Sequence, residues 1–116
     1  MTLFEVLFLA HLVGDFLFQT SWMAMNKATK WMPLLAHVVV YTATVTAAAY
    51  FFGTGLSISA IFLVFIGHII LDRRTFVVWW VRNIQQSVDQ SAGWLGIVAD
   101  QIFHLLILAG AIVLSK

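Results

Sequence analysis

The sequence predicts an all-α, polytopic membrane protein: a four-transmembrane-helix bundle with an interfacial amphipathic segment between the third and fourth spans. Three observations predict it. Hydrophobic residues make up 62% of the 116 and Asp, Glu, Lys and Arg only 9%, against roughly 25% charged in an ordinary soluble domain. Four apolar runs of membrane-crossing length follow one another. The basic residues gather in connections that fall on one side of such a bundle.

The runs are Leu3–Thr20, Trp31–Phe52, Leu56–Leu71 and Trp94–Leu114. Each is about 16–22 residues, close to the ~20 that a helix rising 1.5 Å per residue needs to cross ~30 Å of hydrocarbon. No stretch alternates with period two at strand length, so a barrel is not expected. The first run lacks a basic leading segment and a small-residue cleavage motif, and it carries His11, Asp15 and Gln19. It reads as a retained helix rather than a signal peptide. One proline and no Gly/Ser-rich tract leave a single domain over residues 1–116.

Lys27 and Lys30 lie in the first connection, Arg73, Arg74 and Arg82 in the third (Asp72–Gly93), and the Gly53–Gly55 turn between them is uncharged. Of the six basic residues only Lys116 falls on the other side. The positive-inside rule therefore puts the two basic connections in the cytoplasm and both termini outside. Within the third connection, Arg73–Gln85 mixes Phe76, Val77, Trp79, Trp80 and Val81 with three Arg. That composition suits a helix at the inner membrane surface, lying flat or continuing the third span, with Arg73, Arg74 and Arg82 meeting lipid headgroups.

Composition also excludes functions. A net charge of +1 gives no electrostatic footprint for nucleic acid. The absence of cysteine removes disulfides, zinc–thiolate sites and cysteine nucleophiles, and no G-x-S-x-G motif supports a serine route.

The polar residues are patterned. All four histidines, His11, His37, His68 and His104, fall within the apolar runs, and three of the five acidic residues, Asp15, Asp72 and Asp100, lie in a run or at its edge. His11 and Asp15, His68 and Asp72, and Asp100 and His104 are each four apart, so each pair shares a helix face. His37 is continued by Tyr41 and Thr44 on one stripe, and Gln19 follows Asp15. Counted from the cytoplasmic helix ends, Asp15, His37, His68 and Asp100 come to about 5–10 Å depth, and His11 and His104 to roughly 15 Å. Alternating helix directions thus bring the polar residues to one level.

A central Asp costs roughly 2.5–3.5 kcal/mol on the insertion scale, and two or three approach the ~5–15 kcal/mol stability of a whole domain. These side chains must therefore face one another in the interior. A hydrogen-bonded network that only glues helices would do so, but such bonds average about 0.6 kcal/mol and one Asn or Ser would suffice. His and Asp are also divalent-metal ligands, zinc foremost, and i,i+4 spacing is a helical chelate. Chains of Asp and His suit proton or ion paths as well. Gly14, Gly67 and Gly96 precede or stand one turn from Asp15, His68 and Asp100, where small residues allow close helix approach.

The runs AHLVGDFLFQTSWMAMNK (10–27), LLAHVVVYT (34–42), GHIILDRR (67–74) and VADQIFHLLIL (98–108) resemble a family of small bacterial and phage integral membrane proteins, domain of unknown function 3307. The resemblance spans nearly the whole chain. It implies that His11, Asp15, Gln19, His37, His68, Asp72, Asp100, Gln101 and His104 are motif positions, and it implies a bacterial inner-membrane location. Over the HxxxD-type elements alone, the plan is also similar to membrane-bound metal-dependent hydrolases.

The expected function is an intramembrane divalent-metal site that hydrolyses a lipid or lipid-linked substrate at the inner leaflet. His11, His37, His68 and His104 are candidate ligands. Asp15, Asp72 and Asp100 are candidate ligands, partners for a His N–H, or the general base. Gln19, Tyr41 and Gln101 are supporting polar groups. Seven candidate ligands exceed the four of one zinc, which implies two ions or a full second layer. The rival expectations are a proton or metal-ion conduit, which in four short helices calls for a homo-oligomer, and a small accessory subunit with a structural His/Asp network.

Overall fold

The computed structural model describes residues 1–86 and 93–116, and every element among them is helical. The chain forms α1 (Leu3–Leu12), a π-helical turn (Val13–Leu17), α2 (Ser21–Asn26), α3 (Trp31–Phe52), α4 (Ile58–Asp72), α5 (Thr75–Asn83) and α6 (Gly93–Leu114). Residues 87–92 of the third connection lie outside the described residues.

Local chemistry sets the boundaries. Thr2 and Glu5 form a reciprocal capping box at the start of α1, each side chain bonding the other's backbone N–H at 3.1–3.2 Å. Thr20 caps α2 through the Met23 N–H, and Ser57 caps α4 through the Ala60 N–H. Pro33 sits in the first turn of α3, where its missing N–H costs nothing. Gly55, at φ +82°, makes the turn between α3 and α4.

One expectation from the sequence changes here, and one of two open alternatives falls away. The first apolar run is not one straight helix: the α-ladder gives way to a π turn at Val13–Leu17, which carries Gly14 and Asp15, and breaks before α2. An inserted residue of this kind re-aims side chains, and such turns are frequent at functional sites. Nor does α5 continue α4. Arg74 adopts a left-handed backbone (φ 66°) that turns the chain out of the α4 axis.

Long helices run antiparallel. The start of α1 meets the end of α3, where Leu3 lies against Gly53. The start of α4 meets the end of α6, where the Ser115 hydroxyl accepts from the Ser57 N–H at 2.9 Å. The opposite end of the bundle gathers Lys27, Lys30, Arg73 and Arg74, with exposed Trp22, Trp31 and Trp94 beside them.

Small residues set the closest approaches. A Cβ on Gly67 would fall 2.9 Å from Ile107 of α6, and one on Gly14 would fall 3.1 Å from the Tyr41 ring.

The core has two apolar parts. Leu7, Val45, Ala49, Val64, Leu108 and Ala111 fill the half away from the basic end. Leu71, Val77 and Ala99 bind α5 to α4 and α6, with Phe76 and Trp80 edge-on to Phe103 at centroid distances of 4.9 and 5.2 Å. The outer faces are apolar too: Phe4, Phe8, Phe62, Ile66, Ile102 and Leu106 are exposed, a distribution that water does not favour over so much contiguous surface. Two helices, Trp31–Phe52 and Trp94–Leu114, are long and apolar enough to cross a membrane; Ile58–Asp72 is apolar but shorter.

Candidate metal centre

Among the described residues, the buried polar groups other than Thr42 gather in one layer between the two apolar parts. Asp15 comes from the π turn, His37 and Tyr41 from α3, His68 and Asp72 from α4, and Asp100, Gln101 and His104 from α6. His11, His37, His68, Asp72 and His104 are 0–2% exposed. None of them lies on an outward face.

The centre of the layer is Asp72. Its Oδ2 is 2.6 Å from His68 Nε2 and 3.0 Å from His37 Nε2, and its Oδ1 is 3.3 Å from His104 Nε2. Asp15 Oδ1 stands 3.0 Å from His37 Nε2 and 3.6 Å from His68 Nε2. The His37 and His68 Nε2 atoms are themselves 3.0 Å apart. A ring nitrogen carries at most one proton, so each Nε2 cannot satisfy all the lone pairs it faces. The layer is rich in donors of electron pairs.

That donor set fits a divalent ion. Asp15, His68, Asp72 and His104 each offer one ligand atom, and the four atoms lie within 4.8 Å of one another. Tetrahedral ligands with ~2.0–2.1 Å bonds are separated from each other by about 3.4 Å, and the contacts of 3.3 and 3.6 Å are of that size. His37 adds a fifth nitrogen on the Asp15 side. Because Asp72 presents one oxygen toward His37 and His68 and the other toward His104, it can also bridge.

A second layer orients the first. His104 Nδ1 bonds the Asp100 carbonyl at 2.7 Å; a carbonyl only accepts, so Nδ1 holds a proton, and in the neutral ring Nε2 presents its lone pair inward. Such a bond to the remote nitrogen is the usual support of a ligating histidine. His11 belongs to this outer layer rather than to the inner set. Its Nδ1 is 2.7 Å from the Tyr41 hydroxyl and its Nε2 is 2.7 Å from Gln101 Oε1. Gln101 Oε1 can only accept, so Nε2–H donates to it and Nδ1 accepts from Tyr41. The Gln101 amide then donates toward Asp15 Oδ2 and Asp100 Oδ2, both at 3.4 Å. Tyr41 also packs its ring 3.9 Å from the His68 ring centroid, holding it by contact.

Four sequence candidates lie elsewhere, Arg74 among them with its guanidinium against Gly96. Gln19 folds back to donate to its own helix at the Asp15 carbonyl, 3.1 Å away. Arg73 stacks on Trp31 at 4.4 Å, and Arg82 is exposed on α5. One residue at the layer escaped sequence reasoning: Lys27, whose Nζ stands 3.2 Å from Asp72 Oδ2. It lies beyond the break after the π turn, so no helical periodicity links it to the layer.

No curated protein and no solved structure matches the chain. The family model does: residues 3–116 match Protein of unknown function (DUF3307), and the chain belongs to that family.

Proposed function

We propose that this is a multi-pass protein of the bacterial inner membrane whose interior His/Asp layer binds a divalent ion, zinc foremost, to hydrolyse a lipid or lipid-linked substrate at the inner leaflet. The observation that carries this reading is the set Asp15, His68, Asp72 and His104, with ligand atoms within 4.8 Å of one another inside a bundle whose outer faces are apolar. Four spans are favoured by those outer faces, since α1 and α4 expose Phe and Ile as α3 and α6 do. The π turn and α1 together, and α4, are each about 22 Å long, short of the ~30 Å hydrocarbon, which implies local thinning of the bilayer. Thinning would bring the layer nearer the headgroups at the basic end.

An ion in this site would polarise a substrate oxygen and lower the pKa of water toward ~7. The chain's own groups have separable roles. His104 and His68 present Nε2 inward, Asp72 bridges the two sides, and Asp15 closes the set under the hold of Gln101. Asp100, with Oδ1 buried and without a hydrogen-bond partner among the described residues, is the group best situated to take a proton. A conduit within one protomer is disfavoured, because Leu7, Val45, Val64 and Leu108 fill the half beyond Tyr41. The test is zinc-dependent release of headgroups from liposomes containing the purified chain. Release that chelator stops and His104→Ala lacks is expected; no release from any mixed bacterial lipid, with zinc bound, would overturn hydrolysis.

A further inference from the structure

The rim of the layer at the basic end carries three cations that the metal centre does not need. Lys27 Nζ is 3.2 Å from Asp72 Oδ2 and its side chain is 16% exposed, so the ammonium stands between the buried carboxylate and the outside. Arg74 occupies a left-handed backbone conformation (φ 66°) that side chains other than Gly rarely adopt. Its guanidinium lies against Gly96: a Cβ there would be 3.4 Å from Nη2, and Gly96 is one turn before Asp100. Arg73 leans the other way over Trp31, with Nη1 enclosed and without a hydrogen-bond partner among the described residues. Three basic side chains thus line the basic end: Lys27 at Asp72, Arg74 at Gly96 and Arg73 at Trp31. Among the described residues neither arginine has a carboxylate within ion-pair distance, while Lys27 is paired with Asp72.

Charges left over at the mouth of a site select its ligand. A neutral ester or amide would leave both arginines unanswered. A phosphate group answers them: guanidinium matches its oxygens in a fork, ammonium meets it as a point charge, and such clamps stabilise phosphoryl groups where charge develops. Exposed Trp22, Trp31 and Trp94 put the rim at headgroup level.

Resting on the reading of the layer as a hydrolytic metal centre, we propose that Lys27 and Arg74, with Arg73, bind the phosphate of a membrane phospholipid and hold it at the Asp72 edge of that centre. Lys27 is the first contact, because binding of phosphate and of an ion at Asp72 both draw its ammonium outward from the carboxylate.

The test is binding of dihexanoyl phosphatidic acid to the full chain in neutral detergent, followed by ³¹P NMR, with inorganic phosphate as a second arm. Lys27→Met and Arg74→Met should each weaken the lipid probe by about tenfold or more, in line with loss of a charge-assisted contact. Lys27→Arg should restore binding to within about threefold, and Lys116→Met at the far end should change nothing. Equal lipid affinity across wild type, Lys27→Met and Arg74→Met would overturn the site, as would failure of Lys27→Arg to rescue. Equal affinity for phosphatidic acid and inorganic phosphate would overturn the lipid assignment. Zinc content is read on the same samples. A zinc-free wild type that still shows the tenfold differences sinks the metal reading and not the phosphate site; a zinc-loaded wild type without them does the reverse.

Discussion

His104 Nε2 faces Asp72 Oδ1 across 3.3 Å because the other nitrogen of the same ring donates to the Asp100 carbonyl at 2.7 Å. With the proton held on Nδ1, a lone pair is aimed at a carboxylate. That contact is repulsive until a cation or a second proton stands in it. The pair lies in a layer with little exposure to water, where unanswered charge is costly. The geometry is one in which an ion adds stability rather than merely finding a home.

Zinc should therefore stabilise the fold. At a free concentration a hundred times Kd, a ligand that binds only the folded state adds about 2.7 kcal/mol. Thermal melts in detergent should show a zinc-dependent rise in Tm for the wild type and none for His104→Ala. A rise of equal size in both would remove His104 from the ligand set.

Tyr41→Phe separates packing from hydrogen bonding. The ring would still meet His68, 3.9 Å away, while His11 Nδ1 would lose its one donor among the described residues, in a buried place. The expected loss is about 1–3 kcal/mol of stability, with His68 still bound to its ion. Tyr41→Ala should cost more, roughly 3–5 kcal/mol, because the cavity adds to it. Denaturant melts of the two variants check the order, and equal losses would contradict it.

Gly67→Leu tests the α4–α6 approach. Even a Cβ would come within 2.9 Å of Ile107; a rotamer change of Ile107 can absorb a methyl, but the extra three carbons of Leu have nowhere to go without separating the helices. Overpacking of this kind costs typically 1–3 kcal/mol. Because His68 is the next residue, zinc affinity should fall as well. Unchanged melting and zinc binding would show that the helices are not held this closely.

Much of this layer was legible in the sequence, and the reasons are specific. His68 and Asp72 are four apart on an uninterrupted helix, so spacing alone brought them together at 2.6 Å. His11 and Asp15 are also four apart, yet the π turn between them sends Asp15 to His37 and leaves His11 to Tyr41 and Gln101. A π turn depends on a local backbone balance that apolar periodicity does not record. The kink at Arg74 was hidden for the same reason, since a positive φ at arginine has no composition signal. Lys27 was read as a topology marker because charge counting says where a lysine lies, not what its ammonium touches.

Orientation has its own test. Five of six basic residues lie in the connections at one end and Lys116 at the other, so a reporter active only in the periplasm should work when fused after Lys116 and fail when inserted after Lys30. The opposite pattern would invert the membrane reading and move the phosphate rim to the wrong leaflet.

Elemental analysis of detergent-purified protein decides whether the His/Asp layer is a metal centre. Wild type, dialysed against zinc and then against buffer, should retain about one ion per chain or two if Asp72 bridges a pair; His68→Ala, prepared alongside, should retain little. A wild type that emerges metal-free after zinc, manganese and iron loading, with the same melting curve before and after chelator, would contradict the account and leave the layer as a hydrogen-bonded network alone.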